Sequence, residues 1–191
     1  MGGFMTTTIN ASTSGAGGLI TSADSSGSLG LQTAGTTALL INTSQQITTP
    51  SQPAFIAQIN GNVDATYNSG SYIPFNVTAL NRGSNFSTSN YYFTAPVSGV
   101  YQFTASLFLT SSAGATGNMQ YGLVKNGSFQ AAGLDVYNCG NITPNNTGGT
   151  AQYSVTGTFT LSAGDTVGVQ SRTSSVRVYQ GHCYFSGQLI G

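Results

Sequence analysis

Very few side chains of this sequence could act as a general base, a nucleophile or a metal ligand. The single histidine is His182, and the two cysteines are Cys139 and Cys183. His182 and Cys183 are adjacent, and adjacent residues of a strand point to opposite faces of the sheet, so they do not form a catalytic pair. We expect His182 on a surface or an edge strand, and Cys183, in phase with Phe185, as a small buried side chain.

Carboxylates are equally scarce. All four acidic residues are aspartates, spread along the chain at Asp24, Asp64, Asp135 and Asp165. Glycoside cleavage needs two carboxylates close together, and a zinc site needs a cluster of cysteine and histidine ligands. No G-x-S-x-G sequence marks a nucleophilic serine. The sequence therefore predicts no catalytic residue, no metal site and no cofactor, and the protein is not expected to be an enzyme.

Low charge also restricts the partners. Charged residues make up 4% of the 191 residues, and the formal net charge is zero, which leaves little repulsion against association. The four basic residues are scattered, so we expect no nucleic-acid binding. No apolar run approaches the roughly 20 residues of a membrane helix, so we expect no membrane insertion. The first residues, MGGFMTTTINASTSGAGG, lack the basic and apolar segments of a secretory signal, which predicts synthesis in a cytosol.

The elements that position these residues are predicted to be strands. From Gln52 onward, apolar and polar residues alternate, for example over 101–109 and 153–161. This period of two is typical of strands, and no sustained helical period occurs. Asn126-Gly127 favours a tight hairpin turn, and 138–150 favours a long surface loop. The region is therefore predicted to be an all-β sandwich or jelly roll.

Residues 1–51 differ in composition from the rest. They are rich in Gly, Ser and Thr, and Phe4 is their only aromatic residue. Their short aliphatic patches predict strands with too little side-chain volume to offset the entropy of ordering. We expect this segment to dock on a partner or to intertwine with copies of itself. The residues predicted to make the docking contacts are Leu19, Ile20, Leu29, Leu31, Leu39, Leu40 and Ile41.

Six motifs, read in chain order, resemble the globular head of the C1q/tumour-necrosis-factor family. They are QPAFIAQ at 52–58, IPFNVTALNRGSNF at 73–86, FTAPVSGVYQF at 93–103, GLVKNG at 122–127, LSAGDTVGV at 161–169 and FSGQLI at 185–190. The motif residues assigned to the core or to subunit contacts are Phe93, Pro96, Gly99, Tyr101, Phe103, Gly164, Asp165, Phe185 and Gly187.

The resemblance implies a ten-strand jelly-roll knob at residues 52–191 that assembles as a tight homotrimer, preceded by a separate segment at 1–51. Some members bind calcium, but the scattered aspartates give no reason to place a calcium site here. Animal members usually carry a collagen stalk, and the glycines of the first fifty residues lack its three-residue repeat. The stretch GLITSADSSGSLGLQTAGTTALLIN instead resembles N-terminal segments of bacteriophage virion proteins.

The favoured interpretation is therefore a bacteriophage virion structural protein, made in the host cytoplasm. Its trimeric knob would be fixed to the capsid, collar or tail fibre through contacts of residues 1–51 with other virion proteins. One alternative is a receptor-binding fibre tip that recognises a host surface glycan or protein, and another is a secreted C1q-like lectin. The candidate residues of a partner-facing loop are Asn138, Asn141, Asn145 and Asn146.

The tyrosines are relevant to the choice between a structural role and glycan binding, because too many are present for all of them to fit in the core. Aromatic side chains with Asn and Ser neighbours can bind sugars or make protein contacts. The favoured interpretation is that they pack along the axis of a trimer. The tyrosines concerned are Tyr67, Tyr72, Tyr91, Tyr92, Tyr137, Tyr179 and Tyr184.

Overall fold

The structure is a computed structural model with two compact units, Met1–Pro50 and Ser51–Gly191. It describes residues 25–61, 65–110, 120–127, 136–138, 150–173, 176–179 and 181–191. Within these ranges the regular secondary structure consists of β-strands, and all paired strands are antiparallel. The prediction of an all-β fold is thus confirmed.

The described part of the first unit is a three-stranded antiparallel meander in the order β1–β2–β3. Its strands are β1 (Leu29–Thr33), β2 (Thr36–Ile41) and β3 (Ile47–Thr48). Ala34 and Gly35 both have positive φ angles, 49° and 77°, as a type I′ hairpin turn requires. The second turn is closed by the side-chain oxygen of Asn42, which accepts hydrogen bonds from the backbone N–H groups of Ser44 and Gln46, both at 3.0 Å.

The second unit has twelve strands among its described residues. In chain order they are β4 (Ala54–Gln58), β5 (Ala65–Tyr67), β6 (Val77–Arg82), β7 (Phe86–Ser87), β8 (Tyr92–Thr94), β9 (Gly99–Thr110), β10 (Tyr121–Lys125), β11 (Val136–Asn138), β12 (Thr150–Leu161), β13 (Thr166–Ser171), β14 (Val176–Val178) and β15 (Tyr184–Leu189). Their number exceeds the ten that the family resemblance implies, because pairing segments as short as the two residues of β7 count as strands.

These strands form two sheets. One has five strands in the order β11–β10–β13–β8–β7, and the other has seven, in the order β5–β14–β9–β15–β4–β6 with β12 along the free edge of β9. The long strand β9 organises the larger sheet. It pairs with β12 over its whole length, from Gly99 opposite Leu161 to Thr110 opposite Thr150. Along its other edge it pairs with β15 and then β14.

An aromatic core lies between the two sheets. Phe93 of the smaller sheet has its ring centroid 5.3 Å from that of Phe55 and 5.5 Å from that of Phe103, both in the larger sheet. Phe185 adds an edge-on contact with Phe55 at 4.9 Å. Each of these rings is almost fully buried, which contributes about 1.5–3 kcal/mol per side chain. The inward positions of the alternating strands therefore hold the sandwich together.

The turn after β8 is hydrogen-bonded to the turn between β12 and β13. The backbone N–H of Ala95 donates to the carbonyl of Asp165, and the N–H of Gly164 donates to the carbonyl of Ala95, both at 2.8 Å. The hydroxyl of Tyr101 donates to the carbonyl of Val97 at 2.8 Å and closes the first turn. Two of the six sequence motifs thus meet through backbone hydrogen bonds.

Two predicted segments lie partly outside the described residues. Of the predicted surface loop, Asn138 ends β11 and Thr150 begins β12, and the positions between them are not described. The same applies to three of the candidate loop residues, Asn141, Asn145 and Asn146. At the predicted hairpin turn, Asn126 and Gly127 both have positive φ, at 52° and 69°. The left-handed backbone agrees with the predicted turn, but β10 pairs with β11 with Val124 opposite Val136, so Asn126-Gly127 does not close a two-residue hairpin.

Candidate functional site

The residues with the most reactive side chains do not form a catalytic site. His182 is exposed and Cys183 is buried, on opposite sides of the chain, as predicted. The sulfur of Cys183 donates to the carbonyl of Tyr179 and accepts from the N–H of Phe108, both at 3.2 Å. Burial raises the pKa of this thiol, and the hydrogen bond from Phe108 partly opposes the rise. Cys183 is therefore a small core residue with an unreactive thiol.

The side chain of Asp165 stabilises the turn between β12 and β13. Its carboxylate accepts hydrogen bonds at 2.9 Å from the side-chain amide of Asn126 and from the backbone N–H of Ser162. Lys125 forms an ion pair with it at 3.2 Å. The Asn126 hydrogen bond, then the Ser162 hydrogen bond and Lys125, hold the pKa of Asp165 below its ordinary value. In the described part of the chain, no three His, Cys or Asp side chains come together as a metal site would require.

The motif residues build the core and its turns. Phe93, Tyr101, Phe103 and Phe185 are buried, and Pro96 is exposed in the turn after β8. Gly164 has a φ of 91°, a backbone conformation that side chains rarely adopt. Gly99 and Gly187 lie where an added Cβ would meet neighbouring side chains. Asp165 fixes the adjacent turn, as described above.

A surface poor in charge lies on the outward side of strands β6, β4, β15, β9 and β12 in the seven-stranded sheet, and we call it the outer face. Its central row crosses five strands at matched register, from Leu80 through Ile56, Ser186 and Thr104 to Thr156. Ile56 and Leu80 are exposed there, because their strand neighbours Phe55 and Ala57 occupy the inward positions.

Two further rows complete the outer face. On one side, Gln58, Tyr184, Ser106 and Ser154 lie opposite one another. On the other side, the row consists of Ala54, Gln188, Gln102 and Thr158. Strands β4, β9, β12 and β15 contain no Asp, Glu, Lys or Arg. Arg82 on β6 lies opposite Ala54 and places one charged residue at the end of the second of these rows.

The polar side chains of the outer face are largely paired with one another. The hydroxyls of Thr104 and Thr156 lie 3.0 Å apart, and the hydroxyl of Ser154 donates to that of Ser106 at 2.9 Å. The side-chain amide of Gln152 also donates to Ser106, at 3.0 Å. Because these groups already have partners, covering them with another apolar surface costs less than covering free polar groups.

A depression of about 240 Å³ opens on the same face. The exposed residues Ile56 and Leu80 and the small residue Ser186 line the depression, together with polar residues such as Gln102 and Gln188. An apolar side chain of a neighbouring molecule fits such a depression better than a charged group does.

Beside the outer face, at the end of β9, three rings form what we call the aromatic cluster. The ring of Phe108 lies 5.7 Å from that of Tyr179 and 5.4 Å from that of His182. Tyr179 and His182 stack at 6.4 Å with an angle of 12° between their planes. Gln152 connects the cluster to the outer face, because its side-chain amide donates to the carbonyl of His182 at 3.2 Å.

None of the described tyrosines named in the sequence analysis is fully buried, as predicted. Tyr67, Tyr72, Tyr91 and Tyr92 are half-buried, and Tyr179 and Tyr184 are exposed; the side chain of Tyr137 lies outside the described residues. Only Tyr184 belongs to the outer face. Burial raises the pKa of Tyr67 and of Tyr72, and neither lies on an exposed face that a sugar could cover.

The predicted docking residues of the first unit divide between two faces of the meander. Leu29, Leu31, Leu39 and Ile41 share one face, and Leu40 occupies the other. Leu19 and Ile20 lie outside the described residues.

Sequence reasoning missed Ile56 and Leu80 as surface residues. The motif QPAFIAQ contains the relevant signal. Phe55 and Ala57 occupy the inward positions of the strand, so Ile56 points outward. Their meeting with Tyr184 depends on the pairing of β15 between β4 and β9, which the local pattern does not contain.

Two antiparallel sheets over a shared aromatic core define a jelly-roll β-sandwich. The chain belongs to the family described as the C1q domain, whose profile matches residues 54–190. Proteins of the C1q/TNF family are commonly trimeric and typically non-enzymatic. No curated protein matches the sequence significantly.

Several solved structures share the fold. The globular domain of zebrafish complement 1qA protein matches at a TM-score of 0.55 and 22% identity, covering 73% of this chain and 98% of that domain. Eiger TNF from S. frugiperda matches at 0.53 and 12%, covering 73% and 94% of the two chains. Murine APRIL at pH 5.0 matches at 0.51 and 12%, covering 73% and 99%. Among the described residues, no helix has the length and apolarity needed to span a bilayer.

Proposed function

We propose that the protein is a non-enzymatic association module whose C1q domain forms a homotrimer through the outer face. The observation that carries the proposal is a sheet face with exposed apolar side chains whose four strands β4, β9, β12 and β15 contain no charged residue. Ile56, Leu80 and Tyr184 are 40%, 37% and 37% exposed in the isolated chain. Isolated exposed apolar residues are ordinary, but several on one face that is poor in charge are typical of an interface.

The chemistry of the outer face favours identical partners. The strands β4, β9, β12 and β15 at the centre of the face carry no charge, so copies can meet there with little like-charge repulsion, and Arg82 lies at the edge of the face. The paired hydroxyls of Thr104 and Thr156 can be covered without losing hydrogen bonds. The depression beside Gly187 offers space for an aliphatic side chain from a neighbour. The common trimeric state of C1q/TNF proteins supports three copies over two.

The mass of the full chain in solution tests this proposal. We expect about three times the chain mass of 19.5 kDa at micromolar concentration. Ile56→Asp places a carboxylate on the outer face and should shift the mass toward that of one chain. The matched control is Val97→Asp, because Val97 is also an exposed apolar residue but lies in the turn after β8. A wild-type monomer, or equal effects of the two variants, would contradict the proposal.

For the biological setting, we propose a bacteriophage virion component, fixed to the capsid, collar or tail fibre through residues 1–51. The support is the low charge of the whole chain and the composition of residues 18–42. Protein identification by mass spectrometry on purified particles tests this setting. Absence of the chain from particles whose other structural proteins are all detected would remove the virion setting, and the trimer proposal would be unaffected.

A lectin-like binding role, on a fibre tip or as a secreted protein, is a second candidate, and the aromatic cluster favours it. Exposed aromatic rings such as that of Tyr179 can stack on the apolar faces of sugars. A glycan array probed with the trimer tests this role. Tyr179→Ala should abolish any specific signal, whereas Val97→Ala should leave it unchanged. No signal with the wild-type protein, or a signal that both variants retain, would argue against glycan binding at this cluster.

A further inference from the structure

One face of the meander of the first unit carries five aliphatic side chains, and Thr33 and Thr36 lie on the same face next to the hairpin turn. Leu29, Ile41 and Ile47 lie opposite one another across the three strands, and Leu31 lies opposite Leu39 in the next row. We call these five residues the aliphatic face. It arises because β1 alternates strictly, and because a bulge in β2 beside Leu31 keeps Leu39 in register with it.

The opposite face of the meander has a different character. It carries Gly30, Gln32, Thr37 and Thr48 together with Leu40. The side-chain amide of Gln32 donates to the hydroxyl of Thr37 at 3.3 Å. This face can meet water through polar groups, and only Leu40 resembles the residues of the aliphatic face.

The aliphatic face is open to solvent in the single chain. Leu29, Leu31 and Ile47 are 59%, 48% and 67% exposed. A sheet that is hydrophobic on one face buries that face against another element in a stable fold. An aliphatic sheet face without a cover is also a site of uncontrolled association. Both considerations indicate that another surface covers it in the assembled protein.

We infer that the cover is the same face of two further copies of this chain, so that three meanders enclose one aliphatic core. The inference rests on the proposed trimer of C1q domains. Only residues 51–53 separate the end of the first unit from β4, and three residues span at most about 10 Å. In a trimer of the domains, three meanders are therefore tethered together at an effective concentration on the order of millimolar.

Charge also favours copies of this chain over a foreign partner. Residues 25–50 contain no Asp, Glu, Lys or Arg. The segment therefore has no charge with which to select an unrelated protein, and identical copies meet without repulsion. Three sheets that are each apolar on one side can close around a threefold axis and leave their polar sides in water.

Cysteine cross-linking in the full-length chain tests the inference. Leu31→Cys places a thiol on the aliphatic face, and Gln32→Cys places one on the opposite face of the same strand. Under mild oxidation, Leu31→Cys should give a covalent dimer on a non-reducing gel, independent of protein concentration. Gln32→Cys should give no more dimer than the wild-type chain, which carries Cys139 and Cys183 as its background thiols.

A second pair of cysteine variants tests the same inference in case a variant of the first pair does not fold. Ile47→Cys and Thr48→Cys lie on the aliphatic face and on the opposite face of β3, and the same difference in cross-linking is expected. If the solution mass is trimeric and neither aliphatic-face variant cross-links above its control, the inference is wrong and the proposed trimer of C1q domains remains. If the wild-type chain is monomeric, both are wrong.

Discussion

Gly187 on β15 lies directly opposite Phe103 on β9, and the ring of Phe103 occupies the space that a Cβ at position 187 would need. The ring of Phe55 approaches the same point to 2.7 Å. Both rings belong to the buried core and have no free volume to move into. The glycine of the final motif is therefore required by close packing, in a strand where glycine is otherwise unfavourable.

We expect Gly187→Ala to destabilise the fold by about 1–3 kcal/mol, because a methyl group overpacks the contact between the two phenylalanine rings. The measurement is urea unfolding, in which the midpoint should fall and the slope should stay constant. Ser186→Ala is the matched control, since Ser186 is the preceding residue but lies on the outer face. Equal midpoints for Gly187→Ala and the wild type would contradict the packing argument.

Asp165→Asn should weaken the turn between β12 and β13. The substitution replaces a carboxylate that accepts hydrogen bonds from Asn126 and Ser162, and the expected loss is about 1 kcal/mol because the group is near the surface. Lys125→Gln removes only the ion pair and should cost less. Thermal unfolding measures both. A larger loss for Lys125→Gln would show that the ion pair, and not the hydrogen bonds, holds the turn.

The same carboxylate should make stability depend on acid. Its pKa is lower in the folded chain than its ordinary value of 3.8. The stabilisation by Asp165 is therefore fully present above that ordinary value and is lost as the pH falls through the depressed folded pKa. The difference in unfolding free energy between the wild type and Asp165→Asn should shrink as the pH falls below about 4. A difference that stays constant down to pH 2 would contradict this assignment.

Cys183 should resist alkylation in the native protein. Burial raises the pKa of its thiol above the ordinary value of 9.0, and the sulfur is enclosed between Phe108 and the carbonyl of Tyr179. Iodoacetamide labelling of Cys183 at pH 8 should be at least roughly 100-fold slower in the native protein than in urea, because the thiol reacts only when the structure opens locally. Peptide mass spectrometry measures the extent of labelling. Rapid labelling of native Cys183 would mean that the strand end around it is open.

Local patterns predicted much of the fold. The alternation around Tyr101 and Phe103 predicted a strand and its inward side chains, since a strand with one buried face has a period of two. The Asn126-Gly127 pair predicted a turn for a similarly local reason. The order of the strands could not be read in this way, and it came only from the resemblance to a known family.

The outer face could not be predicted from local patterns. Ile56, Leu80 and Tyr184 are far apart in the sequence, and they meet only because β4 pairs with both β6 and β15. In the first unit, the aliphatic patches were recognised, but Ile47 was overlooked. The sequence analysis grouped Leu40 with Leu39, but the two side chains lie on opposite faces of β2. The pairing register decides which face a residue occupies, and a shift of one residue moves it to the other face.

Association through the outer face should depend little on sodium chloride, since its strands β4, β9, β12 and β15 hold no charged residue and Arg82 lies at its edge. The Debye length falls from about 10 Å at 0.1 M salt to about 3 Å at 1 M, so an interface held by charges would weaken over this range. Gln102→Lys adds one ammonium group per copy to the outer face, and the variant should dissociate at low salt and reassociate as salt screens the repulsion. Val97→Lys, in the turn after β8, should behave as the wild type does. Sedimentation at both salt concentrations measures all three proteins. Dissociation of the wild type at 1 M salt would show that charged residues elsewhere stabilise the assembly. That result would contradict the proposal that the outer face is the trimer interface.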